Sequence, residues 1–93
     1  MNLTIRRATN SDEFAVRRLA VLDSASPPTG EVLLAEMGNE LWAAVAVETG
    51  AAIADPFRPS ADLVELLRFR AGRMTAEKAA RGRMLARVLP RVA

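Results

Sequence analysis

Glu36 and Glu40 stand four residues apart across a turn signal, Gly38-Asn39. Two nearby carboxylates are the minimum equipment for general acid and base work. The partners of such chemistry are missing, because the chain contains no cysteine, histidine or tyrosine. That excludes thiol and imidazole nucleophiles, the usual zinc ligands and a disulfide framework. The simpler expectation is that Glu36 and Glu40 are solvated residues at the edge of a hairpin. Asp55 reads as a turn residue closing a strand, and Trp42 as core or interface packing. No catalytic residue and no metal ligand is assigned.

Charge is the stronger signal. The net value is only +2, but residues 1–67 carry five arginines against ten acids, a net of −5, while residues 68–93 carry seven arginines and Lys78 against Glu77, a net of +7. A basic C-terminus of this kind is solvated, lies on the acidic part of its own domain, or meets an acidic partner such as nucleic acid or an anionic membrane. Phe69 is the one aromatic there that could stack a base, and it is expected in the core.

These residues must be positioned by few elements. Ninety-three residues make one domain. Its core is rich in alanine and poor in aromatics, so stability is expected to be marginal or assisted by a partner chain. Alternation over Leu3, Ile5 and Arg7 predicts a short strand. Asn10 or Ser11 caps a helix that runs to about Asp23, with Asn10 and Glu13 at capping-box spacing and Phe14, Ala15, Leu19 and Leu22 on its buried face. The Ser24–Gly30 connector holds two prolines. Glu31–Met37, Leu41–Val47 and Ala51–Asp55 then make a three-strand antiparallel meander with turns at Gly38-Asn39 and Glu48–Gly50. Its alanines imply close approach of a helix or another backbone. Ser60 caps a second helix with a stripe of Leu63, Leu66, Leu67, Ala71 and Met74. Gly72 and Thr75 predict a bend around Arg73–Thr75. Beyond it Met84, Leu85, Val88 and Leu89 oppose Arg83 and Arg87 until Pro90. The fold class is α+β: a short N-terminal strand, a helix, a three-strand antiparallel meander, then one or two C-terminal helices. The chain divides into a domain over 1–74 and a basic helical extension over 75–93. The N-terminus reads unlike an export signal, and the longest apolar run is far shorter than the roughly 20 residues that span a bilayer. A cytoplasmic location and no integral membrane segment are expected.

The order of elements, with TIRRAT before the first helix, VLLAEMGNELWAAVAV at the hairpin and IADPFRPSADLVELLRFRA after it, resembles the front half of the GNAT acetyltransferase superfamily. The likeness covers residues 3 to about 74, with Glu36, Gly38 and Trp42 in register with the family's hairpin. It implies that Arg58, Ser60 and Ala61 stand in the acyl-CoA loop, where bare amides at a helix start hold the pyrophosphate. This loop departs from the family pattern. Ala61 and Leu63 stand at its small-residue positions, Pro59 lacks an amide hydrogen, and Asp62 brings a negative charge. The family's fifth strand, fourth helix and last two strands, which complete the substrate site, have no counterpart in these residues.

The expectation is therefore a non-catalytic interaction module on a truncated acetyltransferase-like scaffold, with no cofactor assigned. It would act as a homodimer or with a partner protein that covers the Ala51–Asp55 strand edge. The alternatives are an acetyl-CoA-binding N-acetyltransferase completed by dimerisation, and a basic-tail tether to nucleic acid or an anionic membrane.

Overall fold

The computed structural model describes residues 2–88, with side chains in the last helix up to residue 84. The elements are β1 (Leu3–Arg7), a 3-10 turn (Asn10–Asp12), α1 (Glu13–Leu22), β2 (Val32–Met37), β3 (Glu40–Ala46), β4 (Ala52–Ala54) and α2 (Ala61–Val88). This is the expected α+β layout. The N-terminal strand joins the meander, giving one antiparallel sheet in the order β1-β2-β3-β4.

Strand alternation sorts the apolar residues onto two faces, and one helix covers each. Val32, Leu34, Ala44 and Ile53 meet Val16, Leu19 and Ala20 of α1. On the other face Leu33, Ala35, Ala43, Val45 and Val47 meet Leu67 and Ala71 of α2, flanked by Leu63 and Met74. Ala43 and Ala44 of β3 are fully buried beneath opposite helices, so the alanines lie where helices pack. The β2–β3 turn places Gly38 at φ +63, a conformation that costs glycine little. Trp42 is the extra residue of a β-bulge, because Ala35 pairs with Ala43 but Glu36 pairs with Leu41.

α1 differs from expectation at its start and in its buried face. Thr9 caps the 3-10 turn that leads into it, and its N–H donates to Asp12 Oδ2 at 2.7 Å, one residue upstream of the predicted pair. Val16, Leu19 and Ala20 are buried, whereas Phe14 is 78% exposed and Leu22 43%. A helix lying over Ala44 meets it with small side chains, and the phenyl ring turns outward. The helix ends in a Schellman arrangement: Ala25 N–H donates to the Ala20 carbonyl at 2.9 Å and Ser24 N–H to that of Val21, with Ser24 at φ +51.

α2 is continuous, so the expected bend at Arg73–Thr75 does not form. Gly72 faces open space, Ala71 next to it is buried on the sheet, and Thr75 Oγ1 donates to the Ala71 carbonyl at 3.0 Å. Packing on the sheet outweighs a glycine penalty of about 1 kcal/mol. From Ala76 to Met84 every side chain is exposed. Packing on the sheet thus ends near Thr75 along one unbroken helix. The roles given to Leu85, Arg87, Val88, Leu89 and Pro90 lie outside the described side chains. Among the described residues no helix is long and apolar enough to cross a membrane.

Candidate functional site

The segment between β4 and α2 holds Arg58, Ser60 and Ala61, and its hydrogen bonds turn inward. Phe57 N–H donates to Asp55 Oδ1 at 2.9 Å, Arg58 N–H to the Asp55 carbonyl at 3.2 Å, and Ser60 N–H to the Arg58 carbonyl at 2.8 Å. Pro59 has no N–H to give. Ser60 is buried, but its hydroxyl donates to the Asp55 carbonyl at 3.0 Å instead of accepting from the helix; only its carbonyl takes the first helical bond, from Val64. An anion here would meet only the first-turn amides of α2, a turn that already carries Asp62.

Arg58 lies close to Asp55 and Phe57 in sequence. Its guanidinium instead reaches Glu40 Oε2 at 2.9 Å and lies 5.5 Å from the centroid of Trp42. Trp42 Nε1–H donates to the same carboxylate oxygen at 3.1 Å. The indole sits at the bulge, is buried, and contacts both charged partners. Phe14 and Leu22 of α1 border a surface hollow of about 450 Å³ beside this trio.

Glu36 is likewise tied to an arginine and only 20% exposed, unlike the solvated residue expected, whereas Glu40 stays exposed at the hairpin edge. Arg6 Nε donates to Glu36 Oε1 at 2.5 Å, while Nη1 and Nη2 grip Asp12 bidentately at 2.8 and 2.7 Å. The Asp12 side chain is only 13% exposed. The Arg6 hydrogen bonds, then the Thr9 amide, hold its carboxyl well below the usual range. The hydrogen bonds that Arg6 donates to Asp12 and Glu36 raise its guanidinium further above its ordinary value. This clamp joins β1, β2 and the start of α1. Sequence reading missed it, since Glu36 comes opposite Thr4 only once the strands are paired. Each glutamate answers its own arginine, an arrangement suited to structure rather than proton transfer. Among the described residues no three His, Cys, Asp or Glu side chains converge as a metal would require.

The aromatic side chains divide sharply. Trp42 is buried, but Phe14, Phe57 and Phe69 are 78%, 80% and 65% exposed, against the expectation that Phe69 lies in the core. Phe69 follows Leu67 and Arg68 around α2 and falls beside the sheet face rather than onto it, where it borders a groove with Ile5, Leu33 and Leu66.

The two outer strands of the sheet also differ. Ala46 N–H bonds to the Ala51 carbonyl and Asp55 N–H to that of Trp42, so the amides of Ala52 and Ala54 point away from β3. Asp23 Oδ2 accepts the Ala54 amide at 3.1 Å. The expected open edge at Ala51–Asp55 is therefore short and partly closed. On the other side, Ala8 N–H bonds to the Val32 carbonyl and Gly38 N–H to that of Asn2, which turns the amides of Leu3, Ile5 and Arg7 outward.

Among protein-family models, curated proteins and solved structures, none matches this chain.

Proposed function

We propose that the domain is a non-catalytic interaction module on an acetyltransferase-like half-fold, acting as a homodimer or with a partner protein. The exposure of all three phenylalanines carries this reading. Burying a Phe side chain stabilises by about 1.5–3 kcal/mol, and a chain with a small alanine-rich core leaves that contribution unused within itself. Aromatic side chains at protein interfaces are among the residues that dominate binding. The β4–α2 loop favours the same reading, since its amides serve Asp55 and Arg58.

Light scattering on the purified protein, with Phe14→Ser, Phe57→Ser and Phe69→Ser variants, tests the proposal. Association that falls in a variant whose melting temperature is unchanged is the expected result. The competing reading is an N-acetyltransferase completed by dimerisation. Saturable heat on calorimetric titration with acetyl-CoA would favour it and overturn the non-catalytic one.

A further inference from the structure

We infer that the groove between β1 and α2 takes an acidic, extended segment of a partner protein as an added strand on β1, a proposal that rests on the interaction-module reading above. The groove measures about 570 Å³. Its floor is Ile5, Leu33, Leu66 and Met74, all buried or half-buried, and Phe69 stands on its helical wall. Four arginines also border it: Arg6, half-buried and held in its clamp, and the exposed Arg7, Arg70 and Arg73. Arg7 has a long contact of 3.8 Å with Glu31, and among the described residues Arg70 and Arg73 have no ion-pair partner.

Two independent features select the occupant. The first is the backbone of β1, whose Leu3, Ile5 and Arg7 amides point into solvent along this side. An open edge of this kind is completed by another strand. Alternate side chains of that strand would fall on the α2 side of the sheet, over Ile5 and against Phe69. The second is the sign of the rim. A second copy paired β1 to β1 would bring the arginine rims of both copies together, and like charges in contact oppose association. An acidic segment meets the same arginines favourably. A bilayer would answer the charge and the Phe69 ring, but it offers no strand to the β1 amides.

The test uses the full chain and a fluorescein-labelled peptide, Thr-Leu-Thr-Glu-Thr-Leu-Thr-Glu, of about one strand length. Its leucines and glutamates share one face when extended. Binding read by fluorescence anisotropy is expected, together with slowed hydrogen exchange at the Leu3, Ile5 and Arg7 amides. The lysine-for-glutamate peptide should bind at least about tenfold more weakly, and so should the glutamate peptide to the Arg70→Glu, Arg73→Glu double variant. Both arginines are exposed, and circular dichroism checks that the variant keeps its fold.

Equal affinity for the two peptides, or unchanged exchange in β1, overturns the proposal. So does a dimer that Phe69→Asp dissociates and the peptide cannot displace, which would make the occupant a second copy. Sedimentation with phosphatidylserine vesicles without peptide binding would overturn it in favour of a membrane. Should the peptide fail while Phe14→Ser or Phe57→Ser still reduces association, the groove is wrong and the interaction-module reading stands. Saturable acetyl-CoA binding would remove that reading itself.

Discussion

The same helix leads two different lives. Up to Thr75, α2 belongs to the body of the domain, with Leu67 and Ala71 at 0% and 2% exposure beneath the helix axis. From Ala76 onward it is an arm whose described side chains all face solvent. A helix of 28 residues spans about 42 Å, and the long axis of the molecule is 57 Å against 23 and 20 Å for the other two. The radius of gyration of 15.9 Å likewise exceeds the roughly 12 Å of a compact chain of this length. In the body tertiary packing overrides local signals, which is why Gly72 does not break the helix. In the arm only local propensity and charge act, so it should respond to sequence changes as an isolated peptide does.

The largest expected effect lies in the body. Leu67→Ala removes a fully buried side chain between helix and sheet and should cost about 2–5 kcal/mol, a large share of a total of about 5–15. A denaturation midpoint within the scatter of surface variants would show that α2 is held elsewhere.

Next comes the Arg6 clamp. Arg6→Met should cost about 1–2 kcal/mol, between the values for exposed and desolvated charge-assisted hydrogen bonds. The sign with pH follows from Asp12, whose folded-state pKa lies below its unfolded value. Its contribution is complete above about pH 4 and is lost as pH falls through the folded-state value. Urea melts between neutral and acid pH should show this decline in the wild type and a flatter profile in the variant. Equal slopes would detach the clamp from stability.

Smaller still are two glycines in matched surroundings. An added Cβ at Gly72 or Gly82 meets nothing within 4 Å. Gly72→Ala should raise global stability by about 0.5–1 kcal/mol. Gly82→Ala should increase helical circular dichroism while leaving the melting midpoint in place. A shift of the midpoint by both would mean that the arm folds with the body.

Least of all should stability change when residues 76–93 are removed, by no more than about 0.5 kcal/mol. That deletion turns the net charge from +2 to −2, leaving eight arginines against ten acids. Any salt-sensitive attachment to anionic lipid or nucleic acid should go with it. Unfolding of the shortened chain would erase the distinction between body and arm.

What the sequence could reveal followed from range. The strands, the hairpin turn at Gly38 and the end of α1 rest on neighbouring residues, and they were legible. The buried face of α1 was not. The stripes Phe14-Ala15-Leu19-Leu22 and Val16-Leu19-Ala20 both satisfy helical spacing, and only the alanine surface beneath decides between them. The bend at Thr75 was read from local breakers, without the packing that suppresses them. At the candidate site, Arg58, Ser60 and Ala61 could be placed before a helix, but Glu40 lies 18 residues from Arg58 and Glu36 lies 30 from Arg6. Such pairs exist only after the sheet has been assembled, as do the outward amides of β1.

The bond from the Ala54 amide to Asp23 closes a span of 31 residues. It can form only when α1 has ended and β2, β3 and β4 have all found their register. Loop closure of this length is an entropic cost met late, after the local hairpins have formed. Ala54 is therefore a reporter of completion: the contact formed last is the first to open, so its amide should exchange with solvent sooner than those of the β2–β3 pairing.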